Sequence, residues 1–366
     1  MSKLYILGGR QRNPGFKEPG PLDEWSLYEA ALIVELDTET LRLRTCVEYQ
    51  SPPQVLAGSK PSAHFHGGVL IGKSLYTCTK TEVMCYALPE FSRVCYLSLP
   101  CFNDLHHVTV SSDGNLLVAN TGLEMVLKLT PQGKILAAWN VLGGDAWETF
   151  SREVDYRKVA STKPHKSHPN FVFELDGEIW VTRFHQRDAV SLNGSHRRMD
   201  LAGEFPHDGL IVGDLIYFTA VDGKIVIVSR TTLRVQEVVD LRAIQDGDGV
   251  KLPAWCRGIL PLDERKVWVG FSRIRKTKFQ ENVRWVKRTL GEGTLAKPTH
   301  IALFDISQST CLQEIELESY GINAVYGIFA GDREHNAYSS VSQNSAFNPL
   351  PYYGVNGEID TGVKLR

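Results

Sequence analysis

One recurring phrase organises this sequence: a short apolar strand, a turn built on Gly or Asp, and a second strand rich in β-branched and aromatic residues. His107-Val-Thr-Val-Ser-Ser-Asp-Gly-Asn-Leu-Leu-Val-Ala-Asn carries it in full. Asp113-Gly114 supplies the positive φ angles of a tight hairpin turn, and residues 125–129 and 134–139 follow as third and fourth strands. The phrase returns from His66, His168, His207, Arg257 and Tyr326, with successive starts 41, 61, 39, 50 and 69 residues apart. A base period near forty, lengthened by inserts, is the spacing of four-stranded propeller blades.

The two ends of the repeat fit together. The segment from Lys3 (KLYILGGRQR) matches the one from Lys266 (KVWVGFSRIR), a second strand. The segment from Ala31 (ALIVELDTET) matches the one from Ile301 (IALFDISQST), a third strand. The inner strand missing from this blade is the one at Tyr326, so strands from both ends close the ring and remove its exposed edges. The expectation is an all-β propeller, a single domain over residues 1–366, with inserts at 143–163 and 273–298. Six blades follow from the count; a surplus strand-like stretch at 337–341 keeps seven open. The first insert reads as partly helical.

The second blade, DLHHVTVSSDGNLLVANTGLEMVLKLTPQGKIL (residues 104–136), resembles the NHL repeat and its relatives in the gluconolactonase and strictosidine-synthase group of six-bladed propellers. The resemblance implies architecture, since propellers host many unrelated functions. Where the gluconolactonase group has metal-binding Glu, Asn and Asp, this chain has mostly histidines, so that activity is not carried over.

Composition narrows the classes further. Forty basic residues against forty-two acidic ones give a net charge of −2, against a role in coating nucleic acid or an anionic membrane. No stretch reaches the roughly 18 apolar residues of a spanning helix, and the segment MSKLYILGGRQRN lacks a signal-peptide profile. Seven cysteines, an odd number without Cys-x-x-Cys, fit a reducing cytoplasm better than a disulfide framework.

The first residues of each innermost strand sit at the mouth of a propeller's axial channel. Here those positions are His66, His107, His168, His207, Arg257 and Tyr326, four of them histidine in a chain with eleven. Neutral imidazoles converging from separate strands suit a divalent transition ion, iron or manganese first and zinc next, and suit calcium or magnesium badly. The expected metal ligands are His66, His107, His168 and His207, about 2.0–2.3 Å from one ion. The alternatives are direct contact with substrate and hydrogen bonds to loop carbonyls. Three neighbours compete for these places. His64 shares a strand face with His66, His106 faces opposite to His107, and His165 lies three residues before His168. Hairpin alignment selects His107 over His106.

The remaining axial residues suggest substrate chemistry. Arg257 can grip a carboxylate or phosphate bidentately, Tyr326 and Asp208 can move a proton, and Asp104 and Asp208 can orient imidazole N–H groups. Eight basic residues against two acidic ones in 273–298, a formal +6, extend a positive field as either a solvated loop or a lid. The expected function is a metal-dependent enzyme acting on a small anionic, carboxylate-bearing molecule at the axis. Lyase, isomerase or hydrolase chemistry would use the ion as a Lewis acid, and an iron centre would admit oxygenase chemistry. The competing class is a non-catalytic propeller that binds a protein or sugar partner. Dinucleotide, phosphate-loop, zincin and serine-hydrolase signatures do not occur.

Overall fold

The computed structural model of the protein describes residues 3–12, 27–58, 63–245, 254–273 and 297–331. Among these residues, 24 strands form six antiparallel sheets of four. The innermost strands are Gly68–Ile71, Leu105–Val110, Pro169–Leu175, Pro206–Val212, Ala254–Pro261 and Ala324–Ala330, which define blades one to six. Each starts within a few residues of the position expected from the repeat. The hairpin turn of blade two falls at Gly114, with φ of 79°.

Blade six is built from both ends of the repeat. Lys3–Gln11 pairs with Tyr28–Asp37 on one side and with Ala324–Ala330 on the other, Leu4 lying opposite Ala330 and Tyr5 opposite Phe329. The ring is therefore six-bladed among the described residues; the stretch at 337–341 lies outside them.

Both faces of the inner strands are buried, which is why they read as nearly continuous apolar runs, while outermost strands such as Thr310–Glu316 are partly exposed. Leu4 and Ile6 pack toward blade five, and Tyr5 and Leu7 toward blade one. Six such apolar clusters fill the six seams between neighbouring blades. Burying a Leu, Ile or Phe side chain contributes about 1.5–3 kcal/mol, so each seam holds its neighbours firmly. All seven cysteines are unpaired.

The insert at 143–163 departs from the helical expectation. It runs as turns and bends with one 3-10 turn, Tyr156–Lys158. Asp145 accepts a hydrogen bond from the Trp147 N–H at 2.7 Å and Asp155 one from the Arg157 N–H at 3.2 Å, local bonds that compete with helix. Tyr156 is buried, and Trp147 and Phe150 pack with it on the seam between blades one and two. Of the basic insert, residues 274–296 lie outside the described residues. Its two ends are neutralised: Arg273 pairs with Glu318 at 2.6 Å and Lys297 with Glu314 at 3.1 Å.

Candidate axial site

The mouth of the ring is shaped by a repeated backbone irregularity. In blades two to six, the pairing between the innermost strand and its neighbour shifts at the same level. The shifts fall between Leu105 and His107, Pro169 and Val172, Pro206 and Gly209, and Arg257 and Ile259, and in blade six at Tyr326. Such a bulge leaves a residue unpaired and turns its side chain away from the regular alternation. Threonines on the second strands satisfy the backbone groups this frees. Thr182 Oγ1 accepts from the Phe171 N–H and Thr219 Oγ1 from the Asp208 N–H, each at 3.0 Å. In blade five Gly258, at φ of 73°, takes the bend that a side chain would resist.

The bulges bring a dense group of imidazoles to the axis. His106 is its hub, with ring centroids 4.7 Å from His66, 4.8 Å from His168 and 5.8 Å from His207. His64 lies 4.3 Å from His66 and 4.4 Å from Tyr28, its ring tilted by 43° to each. Tyr326 closes the circle, 4.7 Å from His66, 5.0 Å from His64 and 6.4 Å from His207. The Arg257 guanidinium lies over the Tyr326 ring at 4.7 Å and the Trp255 ring at 5.3 Å. Gly9 and Gly67 make room: a Cβ would meet His64 Cβ at 2.6 Å in the first case and the His107 ring at 2.8 Å in the second.

Hydrogen bonds fix several rings and leave others open. His106 Nδ1 bonds the Asp104 carbonyl at 2.9 Å, and His207 Nδ1 bonds Asp208 Oδ2 at 3.0 Å. Asp208 Oδ2 also accepts from the Gly258 N–H at 2.8 Å. His165 and His168 meet through their Nδ1 atoms at 2.8 Å, and His168 holds the unusual φ of 60°. By contrast both ring nitrogens of His66, Nε2 of His207 and Nδ1 of His64 are buried without a hydrogen-bond partner. Local strain and orphaned polar atoms gather in one place.

Burial keeps these imidazoles neutral. It pushes His64, His66 and His168 well below the usual histidine range, and the nearby cations Lys80 and Arg257 add to this at His64 and His66. Burial lowers His106 to about 3 against the pull of Asp104, and lowers His207 against the pull of Asp208. The two carboxyls stay charged. Burial works against the charge of Asp208, yet His207 and the Gly258 N–H hold it below the usual carboxylate range. Asp104 is likewise held well below that range, with burial outweighed by His106, Lys163 and Lys80. The mouth thus presents neutral nitrogen donors, two carboxylates and a guanidinium.

Of the residues expected from the sequence, His66, His168, His207, Asp208, Arg257 and Tyr326 come together here. His107 does not join the imidazole group. The bulge makes His106 the extra residue, so it takes the place that strand alternation assigns to His107. The His107 ring packs on Phe171 at 4.7 Å and lines an axial cavity below the mouth. Burial lowers it to about 4, against the pull of Asp208. His64, a reserve in the sequence reading, is a full member of the group. The cavity itself went unread, because its apolar lining looks like core. Among the described residues, no three His, Cys, Asp or Glu side chains are posed around one point as ligands of an ion; the rings meet edge-on or tilted.

No family model and no curated protein matches the chain. Solved structures do. A protein of unknown function from Bacteroides caccae is 12% identical with a TM-score of 0.55, over 90% of this chain and 98% of that one. A chain of a nidogen/laminin complex is 8% identical with a TM-score of 0.51, over 89% and 97%. A streptogramin B lyase is 14% identical with a TM-score of 0.40, over 69% and 83%. At such identities the first two likenesses speak for the propeller fold alone, and the third carries no further weight.

Proposed function

We propose that the protein is an enzyme acting on a small carboxylate-bearing molecule at the axial mouth, with a divalent transition ion held by the imidazoles. His66 carries this reading: it is 3% exposed, and neither ring nitrogen has a partner. A buried polar group left unsatisfied costs about 1–3 kcal/mol, which a ligand would relieve. His106 and His207 support it. Each bonds a carbonyl or carboxylate through Nδ1, the outer partner usual for a metal-bound histidine, and so keeps Nε2 for ligation. His66, His106 and His207 would hold the ion, with His168 beside His106 as a fourth, and the rings would turn from their present edge-on contacts to do so.

An ion of this kind, iron or manganese before zinc, supplies Lewis-acid polarisation of a carboxylate or carbonyl. The chain supplies the rest. Arg257 binds the substrate carboxylate, its guanidinium placed over the Tyr326 and Trp255 rings. Asp208 fixes the tautomer of His207, and the Tyr326 hydroxyl gives or takes a proton. Lyase, isomerase and hydrolase steps share this arrangement. A ring that only binds a protein or sugar has no use for so many buried neutral imidazoles.

Metal analysis of protein purified without an affinity tag tests the reading. The expected result is about one transition ion per chain, lost in His106→Ala and retained in His107→Ala. A protein that takes up neither Fe(II), Mn(II) nor Zn(II), or that keeps its ion in His66→Ala, His106→Ala and His207→Ala alike, overturns it.

A further inference from the structure

Below the mouth, the six innermost strands line an axial cavity of about 190 Å³ that is open on part of its surface. Val69, Phe171, Leu210, Ile259 and Ile328 give it an apolar wall, one from each of five blades. The charged residues of the lining are two carboxylates, Asp208 at the end nearest the mouth and Glu174; neither Lys nor Arg belongs to it. Glu174 is engaged, accepting hydrogen bonds from the Ser112 N–H at 2.8 Å and the Ser112 hydroxyl at 2.5 Å. Asp208 is only half engaged. The bonds from His207 and Gly258 both fall on Oδ2. Oδ1 sits on the cavity side, 3.3 Å from the point where a side chain at Gly67, itself a lining residue, would begin. The His107 ring lies beside it, its Cδ2 edge 2.8 Å from the same point.

A carboxylate oxygen open to a cavity with apolar walls calls for a donor, and a cationic donor most of all. We propose that the axial cavity binds an apolar primary amine, its ammonium on Asp208 Oδ1 and its hydrocarbon body against Val69, Phe171, Leu210, Ile259 and Ile328. The size agrees: an apolar protein cavity of about 150 Å³ takes benzene, so this one takes a six-carbon chain or a single ring. The site goes beyond the chemistry proposed for the mouth and needs no ion.

Calorimetric titration of the full chain with hexylamine, hexanol and hexanoate is the test. Hexylamine is expected to bind at least about tenfold tighter than hexanol, as a charge-assisted hydrogen bond replaces a neutral one, and any hexanoate bound is expected at Arg257, lost in Arg257→Ala and unmoved by Val69→Phe. Asp208→Asn should bring hexylamine and hexanol to the same affinity. Val69→Phe should abolish both by filling the cavity, with metal content unchanged. Hexanoate binding that Val69→Phe abolishes along with that of hexylamine, no binding of hexylamine at all, or hexylamine affinity unmoved by Val69→Phe overturns the proposal. Should Asp208→Asn fail to fold, Val69→Phe and the three-ligand comparison still decide. Loss of the ion in His106→Ala with hexylamine affinity preserved keeps the two sites' fates separate.

Discussion

The same six strands build two unlike environments. At their first residues lie imidazoles, a guanidinium and a phenol; a few residues further on lie Val69, Phe171, Leu210, Ile259 and Ile328. His106 and His107 show how abrupt the change is. They are neighbours, both buried, yet one joins the imidazoles above while the other packs on Phe171 below. Residue type does not separate them; the bulge does. Chemistry at the axis is thus positioned by a backbone irregularity repeated around the ring, with regular pairing resuming beneath it.

Removing residues 1–48 should have the largest effect, because it destroys both environments at once. Blade six would lose three strands, leaving Ala324–Ala330 without its partner, and with it Tyr326 at the mouth and Ile328 in the cavity. The expected result is loss of the cooperative thermal transition, followed by circular dichroism. A truncated protein that still melts cooperatively would show that five blades hold the axis unaided.

Arg257→Ala should split the two environments. Affinity for a short dicarboxylate such as malonate is expected to fall by about tenfold to a hundredfold, the worth of a charged hydrogen bond. Arg257→Lys should fall between, keeping the charge without the planar fork, and added salt should weaken binding to both. Hexylamine binding should not change in either variant. Equal loss of malonate and hexylamine would make mouth and cavity one site.

The smallest effect concerns acid, measured in chelator-treated protein. Burial holds His107 at about 4 in the folded state, below the ordinary value near 6.5. Between those values the unfolded chain binds the extra proton, so the stability from this neutral ring is present above about 6.5 and is lost as pH falls toward 4. His107→Phe should therefore flatten the pH dependence of urea stability by up to about 1.4 kcal/mol per pH unit in that window. An unchanged slope would mean that His107 is not buried as a neutral ring.

Much of this was legible in the sequence. Asp113-Gly114 marks a hairpin, the likeness of the Lys3 and Lys266 segments reveals how the ring closes, and the spacing of His66, His168 and His207 points to the axis. The choice between His106 and His107 was not, because alternation assumes regular pairing. Nothing in Leu-His-His-Val announces a bulge, whereas Gly258 in blade five does allow for one. The cavity was hidden for a different reason. Ile259 and Ile328 on the axis look no different in sequence from Ile301, which packs only in a seam. Which apolar residue faces a void depends on the closure of the whole ring.

Ring closure also sets an order on biosynthesis. Lys3–Gln11 emerges among the first strands, yet one of its edges is paired only when Ala324–Ala330 arrives, Leu4 against Ala330. Until then every intermediate chain carries an unpaired strand edge and an open seam beside blade five. A ribosome that stalls before Ala324 leaves no smaller working propeller, only an edge open to wrong partners. The protein becomes competent nearly all at once, when its last inner strand meets its first outer one.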